Sequence, residues 1–313
     1  MARSKTTWQV WLRRASQTVF VFLFFYLFLQ TVYHPVNQAG RGVDLFFRID
    51  PLVLLTSWIA SHQIAAGLLL SLVTVLVTLI AGRWFCGWIC PFGALHNLLT
   101  ALRSRRSKDR IASSTHSPWQ RSKYYLLFAL IVACAMGLNL AGWFDPFSFL
   151  FRGTAMVVYP MLDDATKSSF GWIYQTDPGI GHFKATTITE PVYDLLRRHL
   201  LATTQPHFTG TYLLALLFFG VLLLNLHRSR FWCRFVCPLG ALLGVVGKNP
   251  LVQIRRNEDA CNGCRLCVEH CQGGANPDTA AWKPSECFYC WNCQSGCPHK
   301  AITFGLRVPG GKS

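Results

Sequence analysis

Acidic residues are what this chain has least of. Only 14 Asp and Glu stand against 30 Lys and Arg in 313 residues, and charged residues make up 14% while hydrophobic ones make up 51%. With a mean hydropathy of +0.29, the chain is too apolar for an ordinary water-soluble domain of this length. Other absences narrow the field. No Cys-x-x-Cys-His occurs, which excludes a c-type haem attachment. No basic run is interleaved with a nucleic-acid motif, so the net charge of +16 does not mark a nucleic-acid binder. No small-residue cleavage site follows Val32-Tyr33-His34-Pro35, so the first apolar stretch reads as a retained span.

What is present begins with four uncharged apolar stretches, at about 16–33, 64–82, 124–143 and 209–226. Each approaches the ~20 residues that a helix needs to cross ~30 Å of hydrocarbon. Lys and Arg crowd the N-terminus, the loop after the second stretch and the region after the fourth, including Arg103, Arg105, Arg106, Arg228, Arg230 and Arg234. The segments 34–63 and 144–207 mix the two signs. By the positive-inside rule both termini are cytoplasmic.

The two halves repeat each other. Arg83-Trp84-Phe85-Cys86-Gly87-Trp88-Ile89-Cys90-Pro91-Phe92-Gly93-Ala94-Leu95 aligns with Arg230-Phe231-Trp232-Cys233-Arg234-Phe235-Val236-Cys237-Pro238-Leu239-Gly240-Ala241-Leu242. Asp50-Pro51-Leu52 and Asp145-Pro146-Phe147 occupy equivalent places upstream. Each half is helix, Asp-Pro turn, helix, Cys-x3-Cys-Pro, which implies a pseudo-twofold axis along the membrane normal. The second half carries an insertion at about 151–206 with an amphipathic stretch at 192–201, expected to form a small periplasmic cap.

The most specific pattern is Cys261-x2-Cys264-x2-Cys267-x3-Cys271 followed by Cys287-x2-Cys290-x2-Cys293-x3-Cys297-Pro298. A zinc site takes paired Cys-x2-Cys units without a third cysteine at the same spacing. Three thiolates so spaced wrap one [4Fe–4S] cube, and the fourth of each row ligates the other cluster. The assignment is therefore Cys261, Cys264, Cys267 and Cys297 for one cluster, and Cys287, Cys290, Cys293 and Cys271 for the second. Val252-Gln253-Ile254 and Ile302-Thr303-Phe304 are positioned to pair as flanking strands. Cys271 is followed by Gln272 rather than Pro. Cys134, alone in the third stretch, reads as a small buried residue.

Cys86 and Cys90, and likewise Cys233 and Cys237, share one helix face at i and i+4 where a span meets the cytoplasm. Three readings stand open: a structural re-entrant turn, a pair of dithiols that cycle through disulfides, or one additional metal centre, Fe–S or zinc, held by all four. In the third reading the four thiols pass electrons between quinone and the ferredoxin segment, provided the second and fourth spans are neighbours.

Four spans, Phe85-Cys86-Gly87-Trp88-Ile89-Cys90-Pro91, Trp232-Cys233-Arg234-Phe235-Val236-Cys237-Pro238 and the paired cysteine rows together resemble the NapH-type membrane ferredoxins, quinol dehydrogenase components of periplasmic nitrate reductase systems. The membrane portion of the NosR-type regulators of nitrous oxide reduction is similar. The resemblance spans nearly the whole chain except about 151–206. It implies a multi-pass protein of the bacterial inner membrane, in which electrons move between membrane quinone and a partner redox subunit of ferredoxin or cytochrome type. Ala185-Thr186-Thr187-Ile188-Thr189 is too faint an echo to imply covalent flavin.

The expected fold is an α-helical membrane protein: four transmembrane helices as two tandem two-helix repeats over 1–250, then a small α+β bacterial-ferredoxin-like 2[4Fe–4S] domain over 251–313. A quinone site needs an amphipathic pocket and a proton acceptor. His34, Asp50, His62 and Asp145 are candidates at the periplasmic ends of spans, and His96 is the cytoplasmic one. Because ~30 Å of hydrocarbon would separate a periplasmic quinone from cytoplasmic clusters, the cytoplasmic side is favoured. Two other classes of function compete with quinol dehydrogenation. One is a maturation factor, similar to the membrane ferredoxins that reduce copper during cytochrome oxidase assembly, although no large C-terminal extension follows here. The other is an assembly scaffold for a periplasmic respiratory oxidoreductase, its clusters only regulatory. The topology predicts that a reporter fused after Ser313 works in the cytoplasm; activity confined to the periplasm would contradict it.

Overall fold

The computed structural model describes residues 7–33, 44–63, 66–102, 107–176, 179–180, 183–184, 186–199, 210–279 and 282–307. His34 lies outside them. The chain is mostly helical, and one helix carries a stretch, Trp8–Thr31, long and apolar enough to cross a membrane. Pro51–Ser61, Ala66–Ala81 and Thr211–Leu224 are apolar but shorter. Large apolar side chains face outward on these elements, among them Phe22 and Tyr26, Leu72 and Leu76, and Leu213 and Leu216. Outward apolar surface on this scale marks a membrane-associated protein.

Where helices break, the local cause is visible. Asp50 caps the helix Pro51–Ser61 by accepting from the backbone N–H of Leu52 at 2.7 Å, and Asp145 caps Pro146–Gly153 by accepting from Ser148 N–H at 2.8 Å. Proline opens both helices, where its missing donor costs nothing. The third apolar stretch is not one helix. Ser122–Ala135 ends at Gly137 (φ +85°), whose N–H donates to the Cys134 carbonyl while Leu138 N–H donates to Ala133, a glycine-terminated helix end. The chain restarts at Ala141–Phe144. In the insertion, Pro146–Gly153 continues through one π-helical turn, Thr154–Val158, into Tyr159–Thr176, and a second helix, Thr186–His199, includes most of the amphipathic stretch.

The second and fourth apolar helices take different partners. Ser71–Ala81 packs against Pro238–Val246, the helix that follows the second cysteine pair, whereas Thr211–Leu224 packs on Pro146–Val158. Pro91–Leu102, after the first pair, lies on the long N-terminal helix. The repeats therefore cross over each other around a shared aromatic core that includes Phe24, Phe85, Phe92, Phe147, Phe149 and Trp232, with Phe149 stacked on Trp232 at 4.6 Å.

C-terminal to this core, Val252–Arg256 pairs antiparallel with Ile302–Leu306, with Ile254 opposite Phe304. The cysteine rows lie between these strands, and Phe288 belongs to the same buried cluster as the membrane helices. Glu286 joins the parts. It receives Arg83 Nη1 at 3.2 Å, Gln120 Nε2 at 3.1 Å, Tyr124 Oη at 3.0 Å and Lys123 Nζ, all buried or nearly so. Burial alone would raise its carboxyl, but Lys123 and Arg83 hold it below the usual carboxylate range.

Glu286→Ala leaves Lys123 and Arg83 buried without their anion, and should cost on the order of 3–5 kcal/mol. Thermal unfolding of the purified protein in detergent checks this; Glu286→Gln, which keeps the acceptor oxygen, should lose less.

Candidate metal centres and their surroundings

The eight row cysteines divide between two cavities. Cys261, Cys264, Cys267 and Cys297 line one of about 250 Å³. Cys271, Cys287, Cys290 and Cys293 line another, walled by Ile254, Phe288 and Trp291. Each cavity thus takes three cysteines from one row and the fourth from the other. Left-handed backbone at Arg265 (φ 58°) and Trp291 (φ 54°) turns each row just before a short helix carrying its third cysteine. Burial pushes Cys267 up to about 12, with Asp278 adding to the shift, and burial also raises Cys271, Cys287 and Cys293. Thiols in such surroundings keep their protons until a metal displaces them. Eight soft sulfur donors in two four-sided cavities fit iron–sulfur clusters.

Cys86, Cys90, Cys233 and Cys237 are all buried. They also converge. Cys90 lies within electrostatic reach of Cys86 and Cys233, and Cys237 within reach of Cys86, Cys90 and Cys233. The contacts around them are reciprocal. Arg83 of the first repeat donates to the Cys233 carbonyl at 3.1 Å, and Arg230 of the second donates to the Cys86 carbonyl at 3.0 Å. Both guanidinium groups lie over the Phe288 ring, at 4.9 and 4.8 Å. Gly93 N–H donates to Cys90 Sγ at 3.4 Å, and Gly240 N–H to Cys237 Sγ at 3.2 Å. Glycine is required at these two places by close approach: a Cβ on Gly93 would stand 2.7 Å from the Cys86 carbonyl oxygen, and one on Gly240 would stand 2.5 Å from Arg83 Nη2. The four cysteines converge without packing of the second span on the fourth, and the crossed arginines tie the two loops together.

Among the described residues no three His, Cys, Asp or Glu side chains are placed to hold a single metal ion.

Buried cations surround the thiols. Arg13, Arg83, Lys123, Arg230 and Arg234 are each 1% exposed or less. Arg13 lies within electrostatic reach of Cys290, Arg234 of Cys271, Arg83 of Cys86 and Cys237, and Arg230 of Cys233. None of these arginines could be recognised as a site residue from the sequence alone, except that Arg83 and Arg230 occupy matching positions in the repeat.

The acid and histidine candidates fall in different places. Asp50 and Asp145 are not at a periplasmic surface: both are fully buried with their carboxyl groups adjoining, because each caps a helix that starts inside the core. His62 is exposed and ends Pro51–Ser61 in the left-handed conformation (φ 54°). His96 is fully buried, edge-on to Phe92 at 4.6 Å, and burial pushes it down to about 4, so it stays neutral at physiological pH. A cavity of about 720 Å³ opens one face away from His96. Its walls include Gln17, Phe22, Leu98, His270, Cys271 and Gln272. Across it runs a hydrogen-bond chain in which Gln272 donates to Asn97, Asn97 to Gln17 at 3.0 Å, and Gln17 to the Gly87 carbonyl at 2.7 Å. The relay joins the cysteine rows to the first Cys-x3-Cys-Pro loop.

A family profile described as "4Fe-4S binding domain" matches residues 63–108 and 209–257, the two repeats. The chain is 25% identical to the putative electron transport protein YccM of Escherichia coli, across 98% of this chain and 77% of that protein. It is 24% identical to the ferredoxin-type protein NapH of the same organism, across 90% and 82%. It is 28% identical to the regulatory protein NosR of Pseudomonas aeruginosa, across 67% of this chain but 23% of NosR. No solved structure matches. Together these likenesses support a ferredoxin-like membrane protein of the NapH/NosR type and a part in electron transfer.

Proposed function

We propose that this NapH/NosR-type protein is a quinol dehydrogenase component, taking electrons from membrane quinol on the cytoplasmic side and delivering them to a partner redox subunit through two [4Fe–4S] clusters. In this reading, residues 1–250 form a four-span membrane domain of two tandem repeats with both termini cytoplasmic, and 251–313 form the ferredoxin domain. The observation that carries it is the 720 Å³ cavity, apolar along Val21, Phe22, Leu95 and Leu98, polar along Gln17, Asn97 and Gln272, and reaching Cys271 itself. Its size and mixed lining suit a quinone head group.

Cys261, Cys264, Cys267 and Cys297 would hold one cluster and Cys271, Cys287, Cys290 and Cys293 the other. A bound [4Fe–4S] cluster supplies one-electron acceptance and release. The chain's own residues do the rest. The Gln272–Asn97–Gln17 relay offers amide groups to the oxygens of the ring, and the wall of Phe22, Leu95 and Leu98 excludes water from it. Glu269 and His270 stand at the same wall as groups able to receive protons. Arg13 and Arg234 put positive charge beside Cys290 and Cys271, which favours the added electron there; Asp278 beside Cys267 does the opposite at the outer set. Of the two clusters, the one nearer the membrane helices should therefore have the higher potential. The periplasmic candidates have no part in this reading: Asp50 and Asp145 are helix caps, and His62 is remote from the cavity lining.

Leu98→Trp fills the cavity without touching the relay. Quinol-driven reduction of the clusters, followed by anaerobic absorbance, should fall at least about tenfold, while reduction by dithionite stays complete. Unchanged quinol kinetics would place the quinol elsewhere. If cupric ion oxidised the reduced clusters while quinol never reduced them, the maturation-factor reading would replace this one.

The crossed assignment has its own test. Cys297→Ala should abolish the EPR signal of the cluster held by Cys261, Cys264 and Cys267 and spare the one held by its sequence neighbours. Loss confined to the neighbouring cluster would reverse it.

A further inference from the structure

Four buried thiols and two buried guanidinium groups meet at the junction of the repeats, and the quinol reading uses none of them. Left as they are, they make a costly site. Arg230 Nε and Nη2 and Arg83 Nε are buried without a hydrogen-bond partner, and among the described residues no carboxylate pairs with Arg230. A buried cation without an anion costs several kcal/mol. Glu286 answers Arg83 and Lys123 together; the anion facing Arg230 has to come from the sulfurs around it.

Burial raises Cys90, Cys233 and Cys237 above the ordinary thiol range, so these thiols keep their protons until a metal displaces them. Cys90 and Cys237 sit just ahead of the helices Pro91–Leu102 and Pro238–Val246, each accepting a backbone N–H from the glycine three residues on. The helix N-terminus and the N–H donor offset only part of this burial, and they stabilise the sulfur once a metal has taken the place of its proton. Cys86 and Cys233 have their carbonyls tied by the opposite repeat's arginine, which fixes the two pairs against each other. Phe85, Phe92, Phe147 and Trp232 close the surroundings to water.

We propose that Cys86, Cys90, Cys233 and Cys237 together hold a third [4Fe–4S] centre on the pseudo-twofold axis, with Arg83 and Arg230 as its counter-charges. A cube of charge about 2+ on four thiolates leaves about 2−, which two guanidinium groups offset. On loading, four S–H bonds break and their protons pass to the cluster donor's released ligands or to solvent, the four donor–iron bonds break, and four S–Fe bonds form. The iron and sulfide arrive already assembled from a cluster donor, so no oxidant or reductant is consumed at the site. Phe288, which both arginines cover, is next to Cys287, so the centre adjoins the inner cluster through one aromatic ring.

This inference is independent of the identity of the electron donor, because its test counts iron. The full chain, purified anaerobically, should carry about twelve iron atoms and as many acid-labile sulfides, against about eight for the two ferredoxin-type clusters alone. Replacing all four cysteines by serine should bring the count down to about eight while the EPR of the two ferredoxin clusters persists. Should that variant fail to fold, Cys90→Ser alone should alter about one third of the Mössbauer iron signal. About eight irons in the unaltered protein, a disulfide among the four cysteines, or a Mössbauer spectrum unmoved by Cys90→Ser would each overturn the proposal.

Discussion

A buried positive charge must find a negative one or pay heavily in solvation, and this molecule buries five such charges at one junction. Arg13, Arg83, Lys123, Arg230 and Arg234 come from four separate helical regions. Glu286 is the carboxylate that meets Arg83 and Lys123. The others are turned toward cysteines. The fold thus has at its centre an electrostatic requirement that carboxylates answer only in part, and in the proposal made above metal-bound thiolates answer the rest. Hydrophobic burial supplies the bulk of the packing energy, but it does not explain why charged groups occupy the least exposed positions.

The duplication gives this requirement its geometry. One arginine in each repeat reaches across to the carbonyl of the first cysteine in the other, so neither repeat completes its own loop. Each repeat also contributes an Asp-Pro cap that starts a helix within the core, and the two caps adjoin. The ferredoxin segment docks on this crossed arrangement through Glu286 and Phe288, residues flanking Cys287. This docking fixes the cysteine rows against the paired cysteines of the repeats.

Much of this was legible in the sequence because it is local. Row spacing depends on a few successive residues, and the cavities collect the cysteines that the spacing pairs. Val252–Arg256 and Ile302–Leu306 form the expected flanking strands, and the Asp-Pro signatures mark helix starts. The break in the third span was legible in principle, since Gly137 and Asn139 interrupt an apolar run, but composition averaged over 124–143 hides it. What could not be read is long-range. Lys123 and Glu286 are 163 residues apart; nothing near either one announces the other. His96 follows a cysteine motif and looks catalytic by position, yet the turn of its helix sends it into the core against Phe92 and leaves Leu95, Asn97 and Leu98 on the cavity. Asp50 and Asp145 looked interfacial because the spans were drawn as simple crossings.

The central claim is that metal-bound thiolates complete the charge balance of this core. Anomalous scattering at the iron edge, from crystals of the full chain grown anaerobically, tests it most directly. The account predicts iron against all three cysteine sets, with the Arg83 and Arg230 guanidinium groups flanking the set formed by Cys86, Cys90, Cys233 and Cys237. Iron confined to the two ferredoxin-type cavities, with those four sulfurs bare or joined as disulfides beside the same buried arginines, would contradict it.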